Sequence, residues 1–473
     1  MDAATYLSPF SWRYGAPELR SLFSERTRRT LWRAVWVTLA QAQAREGLIT
    51  EEEVADLRAH AGEIDLEAAL AVEREIHHDL MAEIRVFASQ AKIGGGKLHL
   101  GATSMDIEDT VETYRTRRAL AHIGALLHDL LREFAAAIRE HADRVCMAYT
   151  HLQPAEPTTL GYRLAVYAQD LTIDEAALRF AFENVTAKGL RGAVGTAASY
   201  EHLVHHSGRS AELEAYVLER FGLRAREIAT QTYPRKLDYL VLSALAGLGA
   251  SLSKFAADVR ILSSPGFGEV AEPFGRAQVG SSAMPFKRNP ILSERIDSLA
   301  RLLPGYADVA WQNAATNYLE RTLDDSANRR AILPEAFLCA DELLSLTHKI
   351  VRGLQIDERR IEQNLHTYGV FSGTEAILME AVRAGGDRQS LHEVLRDVAM
   401  EAWDALRRGE ENPLADLLVR RPELTALLDG ATIVALLDPS KHIGTARERA
   451  RALAERIDAL EPFPTQPEVS ITS

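Results

Sequence analysis

Cysteine is nearly absent. Cys146 and Cys339 are the only two in 473 residues, far apart and in no C-x-x-C pair. That excludes a disulfide framework and a cysteine zinc site. Aromatic residues reach only 7%, while Ala, Leu, Arg and Glu abound, and these strong helix formers predict an all-α chain. Basic residues fall short of acidic ones, 54 against 67, for a net charge of −13. A surface of that sign argues against nucleic-acid binding, which sets cations against phosphates. A small anionic substrate stays open, because local Arg clusters serve it. Met1–Tyr14 carries no basic stretch followed by an apolar run, and no run of about 18 apolar residues occurs anywhere. Neither a signal peptide nor membrane contact is expected, and a soluble cytoplasmic protein is.

What is present is apolar residues at three- and four-residue spacing. Leu120, Ile123, Leu127, Leu130, Phe134 and Ile138 form one such stripe. Val241, Leu245, Leu248, Leu252, Phe255, Val259 and Leu262 form a second, and Leu333, Phe337, Ala340, Leu344, Thr347, Val351 and Leu354 a third. Each places its side chains on one helix face. Segments 160–186 and 290–317 also read as helix, the latter with a kink at Pro304. Five long helices with near-heptad stripes imply a bundle. Ala244, Gly247, Gly249 and Ala250 would let another helix approach closely, from this chain or from another. Upstream, Leu31–Arg45 and Glu51–His60 read as shorter helices. Downstream of 356, short helices are separated by glycines and prolines, and the tail from Pro462 is expected to fray. Three helical regions follow: 1–103, a central bundle 104–356, and 357–473. Residues 263–289 break the pattern as a long loop rich in Gly and Pro, of the kind that is usually functional or disordered.

Several stretches have residues suited to chemistry, each with a plainer alternative. Gly280-Ser281-Ser282-Ala283-Met284-Pro285-Phe286-Lys287-Arg288-Asn289 offers backbone N–H groups, hydroxyls, a cation and an amide that could cradle an anion, or is a polar surface loop. His151, beside Thr150 and Gln153 and read as lying between a helix end and a helix start, could move a proton or be structural. Thr103 and Ser104 could bind an anion at a helix N-terminus, or cap it with Asp106 near the first turn. Arg321, Ser326 and Arg330 could converge on a phosphate or carboxylate, or Asp325 or Ser326 could cap the following helix. His77 and His78 are poor joint metal ligands because neighbours on a helix diverge. His202, His205 and His206 lack a carboxylate at zincin spacing, so no metal is assigned.

Together these motifs resemble the fumarase/aspartase superfamily, whose loop of form G-S-S-x-M-P-x-K-x-N is matched by Gly280–Asn289. Within it, Gly101–Ser104, Thr150–Ala155 and Leu323–Arg330 are similar to the adenylosuccinate lyase family, as are Arg13-Tyr14 and Gln231-Thr232-Tyr233. The resemblance runs from about residue 8 to 386. It implies an enzyme that eliminates fumarate from succinylated purine nucleotides, with no cofactor or metal. It implies Ser281 as general base, by resemblance rather than spacing against its neighbour Ser282, and His151 as general acid. Lys287, Asn289, Thr103 and Ser104 would bind the succinyl carboxylates, while His78, Asp79, Gln231 and Arg295 would line the substrate. Arg13, Tyr14, Arg321, Ser326 and Arg330 would hold the nucleotide end and its phosphate. His77 departs from related eukaryotic-type sequences, which often carry Arg there. The resemblance further implies a homotetramer with shared active sites and a lid formed by 263–289.

Two alternatives compete. A sister enzyme, such as an argininosuccinate lyase or a carboxymuconate cycloisomerase, would have no phosphate for Arg321 and Arg330 to bind. A non-catalytic helical scaffold would have no need to keep His151, Ser281 and Lys287 together.

Overall fold

The periodic stripes become the helices of one bundle. The computed structural model describes residues 4–204, 208–275, 278, 280, 283–284 and 286–469. The long helices are Ser104–Glu140, Leu160–Asn184, Lys236–Leu262, Ile291–Ala300 continued by Leu302–Ala315, and Ser326–Arg352. Leu120, Ile123, Leu127, Leu130, Phe134 and Ile138 are fully buried, as are Val241, Leu245, Leu248 and Leu252 on the facing helix. Burying a side chain of this size contributes roughly 1.5–3 kcal/mol, so the stripes supply the bundle's cohesion. The chain is all-α; its described strands are short and form two two-stranded pairs.

Cross-links between helices define their directions. Buried Arg235 reaches Asp109 at 3.1 Å and Asp325 at 2.5 Å. These residues lie at the starts of Lys236–Leu262, Ser104–Glu140 and Ser326–Arg352, so all three run the same way. Arg117 donates to the carbonyl of Phe182 at 2.6 Å, and Asn313 to Asn328 at 2.7 Å. Leu160–Asn184 and Leu302–Ala315 therefore run antiparallel to the others. The break in the fourth helix falls at Arg301, one turn before Pro304. A proline ring clashes with the carbonyl four residues back, here that of Ala300.

Lys236–Leu262 is long and apolar enough to cross a membrane, with a mean hydropathy of 1.5 over its most apolar window, although polar residues interrupt it. Half of that window is buried against its neighbours. A Cβ on its Gly249 would lie 2.7 Å from Leu303, so that glycine admits the neighbouring helix of the same chain.

The segment around His151 does lie between two helices, Ser104–Glu140 and Leu160–Asn184, and it takes the form of a β-hairpin: Val145–Thr150 pairs antiparallel with Gln153–Thr159. Val145, Cys146, Tyr149 and Thr150 favour strand, and Pro154 and Pro157 are tolerated because each strand is an edge. The tail does not fray up to residue 469. Phe463 is buried against Gly124, where a Cβ would come within 2.2 Å of its ring. Gln466 donates to the carbonyl of Phe221 at 2.6 Å and accepts from Arg117 at 2.7 Å.

Buried apolar side chains form three clusters. The largest is the bundle, joined by Phe10, Leu19 and the late helix Ala446–Asp458. A second gathers the N-terminal helices with Val111, Tyr114 and Leu213–Leu223, and a third holds Ile377–Leu437.

Candidate active site

At the end of the bundle where Arg235 ties three helix starts, a cleft of about 710 Å³ opens. Four separated stretches line it. His77, His78 and Asp79 come from a helix junction, and Thr103 and Ser104 from the start of the longest helix. Gln231 precedes Lys236–Leu262, and Arg321, Ser326 and Arg330 flank the start of Ser326–Arg352.

Local structure explains each placement. His77 ends the helix Leu66–Ile76 in the left-handed region, at φ 55°, a conformation that usually selects glycine. His78 then caps the next helix, Asp79–Gln90, its Nδ1 accepting from Met81 N–H at 3.3 Å. That bond leaves Nε2 to carry the proton of a neutral ring. Of the two candidate caps for the long helix, Thr103 is the one used; its N–H donates to Asp106 at 2.9 Å. Asp106 is itself buried and also accepts from Lys188, Gly192 and Tyr200, so it anchors this corner. His99, nearby, is half-buried and accepts from Trp36 at 3.0 Å; the loss of solvent around its ring pushes its pKa down to about 4.

Charge in the cleft is paired with care. Arg330 donates to Asp79 at 2.6 Å, and Arg28 lies 3.7 Å away. Burial opposes the Asp79 charge, but these two guanidinium groups outweigh it and hold its pKa below the usual range. Asp325 accepts from Arg235 and, at 2.7 Å, from Arg321 rather than capping the helix with its side chain. Arg321 uses one of its five N–H donors in that bond. The cleft wall also contains Glu73 and Glu108, which reading the motifs missed. Spacing could have found Glu108: it lies four residues after Ser104, on the same helix face.

The remaining expected residues lie elsewhere. His151 and Leu152 form the two-residue turn of the hairpin, with φ of 54° and 60°. Two positive φ values are the type I′ pattern that usually selects Asn-Gly. Leu152 lines a small pocket with Ile261 and Leu262, at the far end of Lys236–Leu262 from the cleft. Tyr149 secures the hairpin by donating to buried Glu269 at 2.7 Å, which also accepts from Arg163 at 2.9 Å. Lys287 is exposed at this same end, and Asn289 donates to the carbonyl of Gly280 at 3.0 Å. Ser281 and Ser282 lie outside the described residues. Arg13, Tyr14 and Arg295 sit partway along Ser326–Arg352: Ala16 N–H donates to Asp341 at 2.7 Å, and Arg295 lies 3.8 Å from Glu342. Since Lys236–Leu262 is 27 residues long, the His151 turn stands roughly 40 Å from the cleft of its own chain.

Among the described residues no three His, Cys, Asp or Glu side chains gather to hold a metal, and His205 and His206 lie outside those residues.

The chain is similar to known proteins along nearly its whole length. A family model described as "Lyase" matches residues 12–305, and one described as "Adenylosuccinate lyase C-terminus" matches 371–453. Adenylosuccinate lyase from Schistosoma mansoni is 37% identical over 94% of this chain and 93% of its own. That of Saccharomyces cerevisiae is 36% identical over 98% of this chain and 97% of its own. Among solved structures, the 3-carboxy-cis,cis-muconate lactonizing enzyme of Pseudomonas putida superposes with a TM-score of 0.82 at 26% identity, covering 95% of this chain and 99% of its own. Fold and sequence agree, and the chain belongs to the adenylosuccinate lyase family of carbon–nitrogen lyases.

Proposed function

We propose that this enzyme cleaves adenylosuccinate to AMP and fumarate, and the succinylated imidazole carboxamide ribotide SAICAR to AICAR and fumarate, in purine nucleotide biosynthesis. The observation that carries the reading is the cleft, in which Arg321, Ser326 and Arg330 gather with His78, Asp79, Thr103, Ser104 and Gln231. A guanidinium pair beside a hydroxyl suits a phosphate, which the substrates of the sister lyases lack.

In this reading Ser281 removes a proton from the succinyl carbon beside a carboxylate. The electron pair left behind forms the carbon–carbon double bond as the carbon–nitrogen bond breaks. The departing nitrogen takes a proton from His151, and fumarate and the amine result. The carbon acid is weak, so the developing charge on the carboxylate needs preorganised positive partners; Lys287 and Asn289 serve, with Thr103 and Ser104 holding the other carboxylate. Lys287 also stabilises the Ser281 alkoxide once the 263–289 loop excludes water. General acid–base help of this kind contributes about 10²–10⁴-fold. Arg13, Tyr14, His77, Gln231 and Arg295 orient the rest of the nucleotide.

The distance between the His151 turn and the cleft supports a homotetramer in which different chains complete each site. Its setting is the cytoplasm, its partners are small succinylated nucleotides, and its divisions are 1–103, 104–356 and 357–473. The test is absorbance-monitored turnover of adenylosuccinate by the wild type and by Ser281→Ala and His151→Ala. Fumarate release by the wild type, reduced at least 100-fold in each variant, is expected. An intact wild type without turnover would overturn the substrate assignment.

A further inference from the structure

Glu108 is the carboxyl of the cleft with nothing assigned to it. It lines both the 710 Å³ cleft and a tight charged pocket behind it, which contains Arg28, Arg329 and Glu112. The other acidic side chains of the cleft wall are occupied: Asp79 pairs with Arg330, and Glu73 with Arg29 at 3.0 Å. Glu108 is half-buried and, among the described residues, makes no hydrogen bond or ion pair. A half-buried carboxylate without a partner is unfavourable unless it is neutral or a ligand completes it.

We propose that Glu108 is a further ligand-binding residue of this cleft, donating its carboxyl proton to an oxygen of the phosphate held by Arg321, Ser326 and Arg330. The proposal rests on reading the cleft as the phosphate end of a nucleotide site. Charged and titratable groups line the cleft and the pocket around Glu108. Arg28 faces it from helix Glu25–Arg45, His77, His78 and Asp79 from the helix junction, and Asp109 and Glu112 from its own helix. Arg321, Arg329 and Arg330 complete the ring. Burial first, then the charges of Asp79 and Asp109, push its pKa up to about 8 against the pull of Arg28 and Arg330. At neutral pH the group is therefore an acid with a proton to give. Ionised, it would set a like charge against the arriving phosphate.

The probe is AMP, titrated calorimetrically into the intact wild type and Glu108→Gln between pH 7 and 9.5. Wild-type affinity should fall towards tenfold per pH unit above about 8, while Glu108→Gln, which keeps an N–H donor at every pH, should stay flat. In the wild type alone, AMP binding at pH 8.5 should take up a sizeable fraction of a proton, read from the dependence of the heat on the buffer. Parallel affinity profiles, or no proton uptake, would overturn the role of Glu108 and leave the phosphate reading standing. Failure of AMP to bind at pH 7 would overturn the phosphate reading, and this inference with it.

Discussion

Arg330 donates to Asp79 at 2.6 Å across 251 residues of sequence, joining the start of helix Ser326–Arg352 to the start of helix Asp79–Gln90. The pair shapes the cleft wall and carries a pH signature. Asp79 has a folded pKa below its ordinary value, so its contribution to stability is present above the unfolded pKa of about 3.9. It is lost as pH falls through the lower folded value. Asp79→Asn should lower stability by about 1 kcal/mol near neutral pH. That difference from the wild type should narrow steadily as pH falls below about 4. Urea unfolding at pH 7, 5 and 3 checks this; a gap as large at pH 3 as at pH 7 would show that the charge of Asp79 is not its source.

The separation of His151 from the cleft makes a second prediction. If two chains complete one site, His151→Ala and Arg330→Ala each cripple every site in a pure tetramer. Mixed by co-expression, random assembly leaves about a quarter of the sites with both intact residues, since each site draws the two from different subunits. Activity measured at low substrate should recover to about that fraction of the wild type. No recovery in a verified mixed tetramer would place both residues in one chain's site.

A third prediction concerns the hairpin turn. Leu152 holds φ 60° with its side chain exposed, a conformation that is strained for a residue with a branched side chain. Leu152→Gly should relieve that strain and stabilise the protein by about 1 kcal/mol. A thermal melt checks the direction, and a lower melting temperature would mean that what Leu152 gains beside Ile261 and Leu262 outweighs the strain.

Much of the bundle is legible in the sequence because helix period and burial coincide. Every stripe residue from Leu120 to Ile138 is buried, and helix Glu51–His60 has the expected bounds, with Thr50 capping its start. The hairpin is not legible in the same way. Six residues of strand carry too short a pattern to stand out beside two long helices, and His151-Leu152 lacks the glycine that usually marks such a turn. The docked tail is hidden for another reason. Its hold comes from Gly124, Arg117 and Phe221, all hundreds of residues away.

The sequence by itself determined the helical class, the direction of each apolar face and the residue types available for chemistry, because these depend on local periodicity and side-chain identity. Tertiary structure decided which of those residues meet. Arg330 finds Asp79, Glu108 stands beside them without a partner among the described residues, and His151 lies at the other end of a helix roughly 40 Å long. Such distances are set by how helices pack and run, and local sequence says nothing of that.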